Sequence, residues 1–343
     1  MNVLITGATG FIGSHLLDAL AATDAAIYAL VRDPARLPAE SARRVHAITG
    51  ELADVPRLPA RPDVVYHLAG LTKALNSKDY YTVNAKGTAS LLDALDRQGF
   101  RPKVVILSSV AAGGPSERDS RRKESDPPDP VTPYGESKLG AEREALARAD
   151  RFPIVLLRIA AVYGPRDPDF LGLFRAAERG IVPSVGFKKR LLSLCYVRDG
   201  VRALLRAAEV TVPSGEILNI AGPEACTMTE LGQMAGGFLG RRSRKIVLPP
   251  GLAYAAVLAS EFLSTLARKP SPINRDKYRD FRQAGWVVDV GKARDRLGFT
   301  ADTALEAGVR ETIAWYLENG WLSRPSGSRS GASKRSRRTS SKS

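Results

Sequence analysis

The chain opens on a short apolar run, Val3-Leu4-Ile5. Glycines follow at 7, 10 and 13, then apolar residues at helical spacing: Phe11, Ile12, Leu16, Leu17 and Leu20. An unbroken apolar run of that length predicts a strand buried on both faces, and the three-to-four spacing predicts a helix packed on it. The same alternation recurs along the first half. Residues 26–31, 45–48, 63–67, 103–107 and 154–158 read as further strands. Residues 80–95 read as one helix, with Val83, Leu91, Leu92 and Leu95 on its apolar side. A second helix opens at Pro133, which suits a first helical turn, and runs to about residue 149. Beyond residue 165 the alternation becomes irregular. Segments 170–179, 199–208, 227–239 and 304–321 read as helices, and 193–197 and 217–221 as strands. Thr227 and Glu230 have the spacing of a capping box. The mostly apolar segment 249–266 is either a buried core helix or an element serving an apolar substrate.

Strands alternating with helices predict an α/β protein: a doubly wound parallel sheet of the Rossmann type with a smaller, mixed α/β C-terminal substrate lobe. Residues 1–165 and 191–221 are assigned to the dinucleotide-binding domain and 166–190 and 222–322 to the substrate lobe. Residues 323–343 are expected to form a disordered basic tail.

The strand, glycine turn and helix at residues 3–20 make a phosphate site. Gly7 permits the turn, Gly10 lets backbone approach a pyrophosphate, and Gly13 lets helix and strand pack closely. Free N–H groups at the helix start face the phosphates. The residue closing the second strand decides between the two nicotinamide dinucleotides. Val31 stands where an acid would read the ribose hydroxyls, and Arg32 follows. Asp33 precedes Pro34 and reads as turn chemistry. Arg32 therefore favours NADP. If it is an ordinary surface charge, NAD stays open.

Ser108 and Ser109 end the fifth strand, at the sheet edge where such folds bind ligands. Tyr134 and Lys138 lie four apart and share a helix face. A phenol there can pass a proton, and a neighbouring ammonium is expected to lower its pKa from about 10. Asn84 is either a supporting residue or a satisfied core amide. The polar loop 113–130 is placed beside the substrate.

Charge adds one qualification. The net charge is +15, but residues 323–343 carry seven Lys or Arg and no acid, which leaves +8 for the rest. A nucleic-acid role for the folded body does not follow. The tail reads as a solvated extension or as a tether to anionic surfaces. Two cysteines, no apolar run long enough to span a bilayer and no room for a signal peptide before the first strand point to the cytoplasm. No metal site is expected.

Together these residues resemble the extended short-chain dehydrogenase/reductases, the set containing nucleotide-sugar epimerases and dehydratases, dihydroflavonol reductases and 3β-hydroxysteroid dehydrogenases. The resemblance rests on Thr6-Gly7-Ala8-Thr9-Gly10-Phe11-Ile12-Gly13, His67-Leu68-Ala69-Gly70, Val83-Asn84 with Gly87-Thr88, Ser108-Ser109, Tyr134-Gly135-Glu136-Ser137-Lys138 and Val162-Tyr163-Gly164-Pro165. It implies an NAD(P)-dependent oxidoreductase with a small-molecule substrate, possible as a homodimer. Ser109 and Tyr134 would contact the reacting oxygen, Lys138 would hold the nicotinamide ribose, and Asn84 would support them. Cofactor contacts are implied for Gly7, Thr9, Gly10, Phe11, Ile12, Gly13, Arg32, Leu52, Leu68, Ala69 and Gly70, besides Tyr134 and Lys138. Gly50-Glu51-Leu52 stands where the family often has Gly-Asp-Leu. Ala161 and Leu192 stand where the epimerases typically carry an Asn and an Arg for a diphosphate. An apolar residue cannot grip a diphosphate. These departures, with segment 249–266 and Trp286, Trp315 and Trp321, favour a fairly apolar, sterol- or flavonoid-like substrate over a nucleotide sugar. A non-catalytic dinucleotide-binding protein is a third reading.

Overall fold

The computed structural model describes residues 1–118, 120–267, 271 and 274–323. The expected tail from residue 324 onward lies outside the described residues.

Seven parallel strands form the main sheet: β1 (Asn2–Thr6), β2 (Ala26–Val31), β3 (Val45–Thr49), β4 (Val64–His67), β5 (Lys103–Ser109), β6 (Ile154–Ile159) and, after three strands of the smaller sheets, β10 (Glu216–Ile220). The intervening strands are β7 (Ala161–Tyr163), β8 (Ile181–Val185) and β9 (Leu192–Tyr196), and β11 (Ala225–Cys226) and β12 (Arg244–Leu248) follow. The order across the main sheet is β10-β6-β5-β4-β1-β2-β3. The sheet therefore reverses direction at β1, between β4 and β2, and ligands of such sheets bind outside the strand ends at that point.

The apolar runs divide between two faces, as period-two strands require. Val3 and Ile5 of β1 and Val155 and Leu157 of β6 pack with Leu16, Leu17, Val201 and Leu204 from helices Phe11–Ala21 and Val197–Glu209. Leu4, Val104, Ile106, Ile154 and Leu156 pack on the other face with Leu91, Leu92, Leu95 and Ala145 from helices Gly87–Arg97 and Pro133–Leu146. Helices on both faces make the sheet doubly wound, as expected.

A separate core joins Phe174, Tyr196, Leu231, Ile313 and Tyr316. The capping box at Thr227 and Glu230 forms as the spacing predicts. Two expectations are corrected. Residues 80–95 are not one α-helix: Tyr81–Lys86 is a π-helical turn between Ser77–Tyr80 and Gly87–Arg97. Segment 249–266 does form a helix, Pro250–Leu266, but it is not buried, because only Ala253 and Val257 reach the core beneath it. Trp315 and Trp321 pack on each other and on Tyr316, so two of the three tryptophans belong to this second core.

Candidate functional site

The glycine turn is fixed by contact. Gly7 has φ +79°, and a Cβ there would lie 2.6 Å from the Ala69 nitrogen. A Cβ on Gly13 would lie 2.0 Å from the Gly7 carbonyl oxygen, so only glycine lets the helix start here. A Cβ on exposed Gly10 would meet nothing within 4 Å except the Gly7 carbonyl. No side chain caps helix Phe11–Ala21, which leaves its first amides pointing at open space. A backbone cradle at a free helix N-terminus fits a dinucleotide's pyrophosphate.

The ends of β1, β4 and β5 frame a cavity of ≈ 570 Å³. Of the residues expected to bind cofactor, Gly7, Gly10, Phe11, Ile12, Gly13, Leu68, Gly70, Tyr134 and Lys138 line it. So does Ser109. Thr9, Arg32, Leu52, Ala69 and Asn84 are not among its lining residues. Ala69 donates its N–H to Thr6 Oγ1 at 3.3 Å, and Leu52 packs where a Cβ on Gly87 would fall. Arg32 is exposed just past β2. Asp33 accepts from the Ala35 N–H at 3.0 Å, which is the turn chemistry read from the sequence.

Two buried polar networks stand behind the cavity. Thr6 Oγ1 meets His67 Nδ1 at 2.7 Å, His67 Nε2 meets Thr88 Oγ1 at 2.9 Å, and the Thr88 hydroxyl donates to the Asn84 carbonyl. Burial and the Lys138 charge push the His67 pKa down to about 3, so this ring is a neutral strut rather than a base. The Asn84 amide donates to Ser137 Oγ at 2.9 Å and to the Leu71 carbonyl at 3.1 Å, and its oxygen accepts from the Leu71 N–H at 2.7 Å. The π-turn delivers Asn84 to this position, tying loop 70–71 to the Tyr134 helix. In the second network Arg158 binds Glu142 through both guanidinium arms, at 2.9 and 2.7 Å, and Ser108 donates to Glu142 at 2.5 Å.

Thr132 caps helix Pro133–Leu146, setting Tyr134 and Lys138 on the turns facing the cavity. Tyr134 and Ser109 line the same cavity. Lys138 donates to the Leu107 carbonyl at 2.6 Å. Tyr134 departs from expectation. Burial dominates and pushes its pKa up to about 12; the nearby Ser109 hydroxyl only partly offsets this, and Asp169, Tyr80 and Asp280 add to the rise. Burial also lowers Lys138 to about 8, which weakens any pull on the phenol. A protonated phenol lining the cavity with a serine can donate a proton to an oxygen placed between them.

Sequence reasoning missed the opposite wall. Lys73 and Asp169 pair across the cavity mouth, with Lys277 3.8 Å from the same carboxylate. Asp276 and Asp280 join them from helix Arg275–Arg282, and burial raises Asp280 to about 7. Trp286 lines the same cavity. No local pattern announces these residues, which reach the cavity from distant parts of the chain. No group of three or more His, Cys, Asp or Glu suited to a metal occurs among the described residues.

A family model described as the NAD dependent epimerase/dehydratase family matches residues 3–221. Ceramide reductase of Caulobacter vibrioides is 30% identical over 324 residues, spanning 93% of this chain and 96% of that protein. Sterol demethylase protein B of Methylococcus capsulatus is 26% identical over 341 residues, spanning 94% and 100%. Among solved structures, MoeE5 in complex with UDP-glucose and NAD superposes with a TM-score of 0.72 at 30% identity, covering 93% of this chain and 99% of that one.

Proposed function

Since this chain belongs to the NAD dependent epimerase/dehydratase family, we propose that it moves hydride between NAD(P) and an oxygen-bearing carbon of a largely apolar, sterol- or ceramide-like substrate. The cofactor, when bound, supplies or accepts the hydride. Tyr134 gives the proton to the substrate oxygen and takes one back from solvent between turnovers, Ser109 orients that oxygen, and Lys138 holds the cofactor ribose. Asn84 acts through Leu71 and Ser137 as a positioning residue. The observation that carries this reading is that Ser109, Tyr134 and Lys138 line one cavity with the glycine cradle.

Two features support the apolar substrate. Ala161 and Leu192 line the cavity and offer no group to a diphosphate. Relatives named as ceramide and sterol enzymes match over nearly the whole chain. NADP is the preferred cofactor in this reading, because Arg32 is exposed just past β2 while Asp33 is occupied by its turn. Residues 1–165 and 191–221 form the cofactor domain, and 166–190 and 222–322 the substrate lobe, which contributes Asp169, Lys277 and Trp286 to the cavity. Cys195 and Cys226 are buried free thiols, in keeping with a reducing cytoplasm. A homodimer, and contact of tail 323–343 with anionic surfaces, complete the proposal.

The second reading is a nucleotide-sugar epimerase or dehydratase, favoured by Lys73 and Lys277 at the cavity mouth. Absorbance at 340 nm separates the two. Net loss of NADPH with sterol- or ceramide-like ketones supports the first. Product formation from a UDP- or dTDP-sugar with NAD(P)H unchanged supports the second and overturns the first.

A further inference from the structure

Helix Pro250–Leu266 inverts the arrangement of an ordinary surface helix. Its inward stripe is narrow: Ala253 and Val257 pack against Tyr278 and Val185, and the Tyr254 ring lies 5.2 Å from that of Tyr278. Its one charged residue, Glu261, binds Arg275 at 2.8 Å. The outward faces are uncharged and apolar. Leu252, Phe262, Leu263 and Leu266 are 65%, 66%, 64% and 72% exposed, and Leu258 is 43% exposed. Phe187, 85% exposed, adds to them from the loop after β8, where the Gly186 N–H donates to the Leu248 carbonyl at 3.1 Å. A contiguous apolar face of this kind marks an interaction site.

Its surroundings are cationic. Lys188 and Lys189 follow Phe187, and Arg241, Arg242, Arg244 and Lys245 lead through β12 into the helix, all exposed. No Asp or Glu occurs in residues 180–198 or 231–260, and the neighbouring acid, Glu230, lies 4.0 Å from Lys189. We propose that this face seats the protein on a bilayer surface carrying anionic lipid, with the helix in the headgroup plane. The leucines and phenylalanines would enter the acyl boundary while the cations meet lipid phosphates. No helix among the described residues is long and apolar enough to cross a membrane, so this one lies on the surface.

Charge argues against the other occupants. A second copy meeting the same face would bring its six cations against these six. Residues 324–343 contain no Val, Ile, Leu, Met, Phe, Tyr or Trp and cannot cover an apolar face. The helix packs on Arg275–Arg282, whose Asp276, Lys277 and Asp280 line the cavity, so the cavity lies one helix layer from the proposed lipid surface. The docking face stands whichever substrate the enzyme takes.

Flotation of the full-length protein with vesicles tests this. Vesicles of equal parts phosphatidylcholine and phosphatidylglycerol should carry the protein up at low salt, and pure phosphatidylcholine much less. Leu258→Glu with Phe262→Glu should cut the bound fraction at least ~10-fold while leaving the melting temperature and NADPH binding unchanged. Phe187→Glu, in a loop, serves if that double variant misfolds. Arg244→Glu with Lys245→Glu should weaken binding and flatten its salt dependence. Ending the chain at Leu322 should leave binding that is still sensitive to Leu258 and Phe262. The proposal fails if the intact protein does not float, if the glutamate variants float like wild type, or if removing the tail abolishes all binding. It also fails if the glutamates split an oligomer in sedimentation velocity without changing flotation, which would give the face to a second copy.

Discussion

Lys138 points its ammonium at the Leu107 carbonyl, 2.6 Å away, rather than at the phenol one turn earlier. The buried ammonium is held at the end of β5, between the cofactor cradle and Tyr134. Its pKa, lowered to about 8 by burial, lies below its ordinary value near 10.5. The unfolded chain therefore binds the extra proton between those pH values and the folded one does not, so this group's contribution to stability rises from about pH 8 to 10.5 and is lost as pH falls through 8.

Lys138→Met should remove that slope. The stability difference between wild type and variant, read by urea denaturation, should shift in favour of wild type as pH rises from 8 towards 10. NADPH affinity and turnover should both fall in the variant. An identical pH dependence of stability in the two proteins would remove Lys138 from this role.

Tyr134→Phe should lower turnover ~10²–10⁴-fold, the usual worth of a positioned proton donor. Cofactor binding, read by NADPH fluorescence, should stay near wild type. Because burial holds the phenol at about 12, difference absorbance at 295 nm should show no ionisation of Tyr134 below pH 10 in the free enzyme. A near-normal rate in the variant would give the proton transfer to another group.

Arg32→Ala should weaken NADP ~10–100-fold and NAD hardly at all, since one charge-assisted hydrogen bond is worth about 1.5–3 kcal/mol. Paired titrations with the two dinucleotides measure this. Equal weakening would make Arg32 a plain surface charge and restore NAD as the preferred cofactor.

Arg158→Met should destabilise the fold by about 3–5 kcal/mol, because it strands a fully buried Glu142 carboxylate. Adding Glu142→Leu should recover much of the loss, since an apolar pair leaves no charge stranded. Chemical denaturation of both variants gives the comparison, and a double variant weaker than the single one would mean that Ser108 depends on Glu142 for its placement.

The sheet is legible in the sequence because most of its strands are short apolar runs with β-branched residues, and the expected ends lie within two residues of the observed ones. The glycine turn and the Tyr134–Lys138 pair were legible because each is local. What escaped has a common cause: it depends on meetings between distant residues. Asp276 and Lys277 enter the cavity only when helix Arg275–Arg282 is brought to its wall from far along the chain. Glu142 looks like a surface helix residue until Arg158 is placed opposite it. Helix Pro250–Leu266 was misjudged for a different reason, since apolar content signals burial but does not say against what. The π-turn at Tyr81–Lys86 leaves no mark in periodicity over so few residues.

The order β10-β6-β5-β4-β1-β2-β3 also bears on how the protein is made. Each strand, as it leaves the ribosome, can dock on an edge that already exists, and none has to be inserted between two earlier partners. The glycine cradle, Ser109, Tyr134 and Lys138 all come from the first part of the chain to emerge. Asp276, Lys277 and Trp286 emerge much later. A nascent chain can thus assemble the glycine cradle and the Tyr134–Lys138 helix well before the opposite wall of the cavity exists, and β6 waits as an open sheet edge until β10 arrives to cover it.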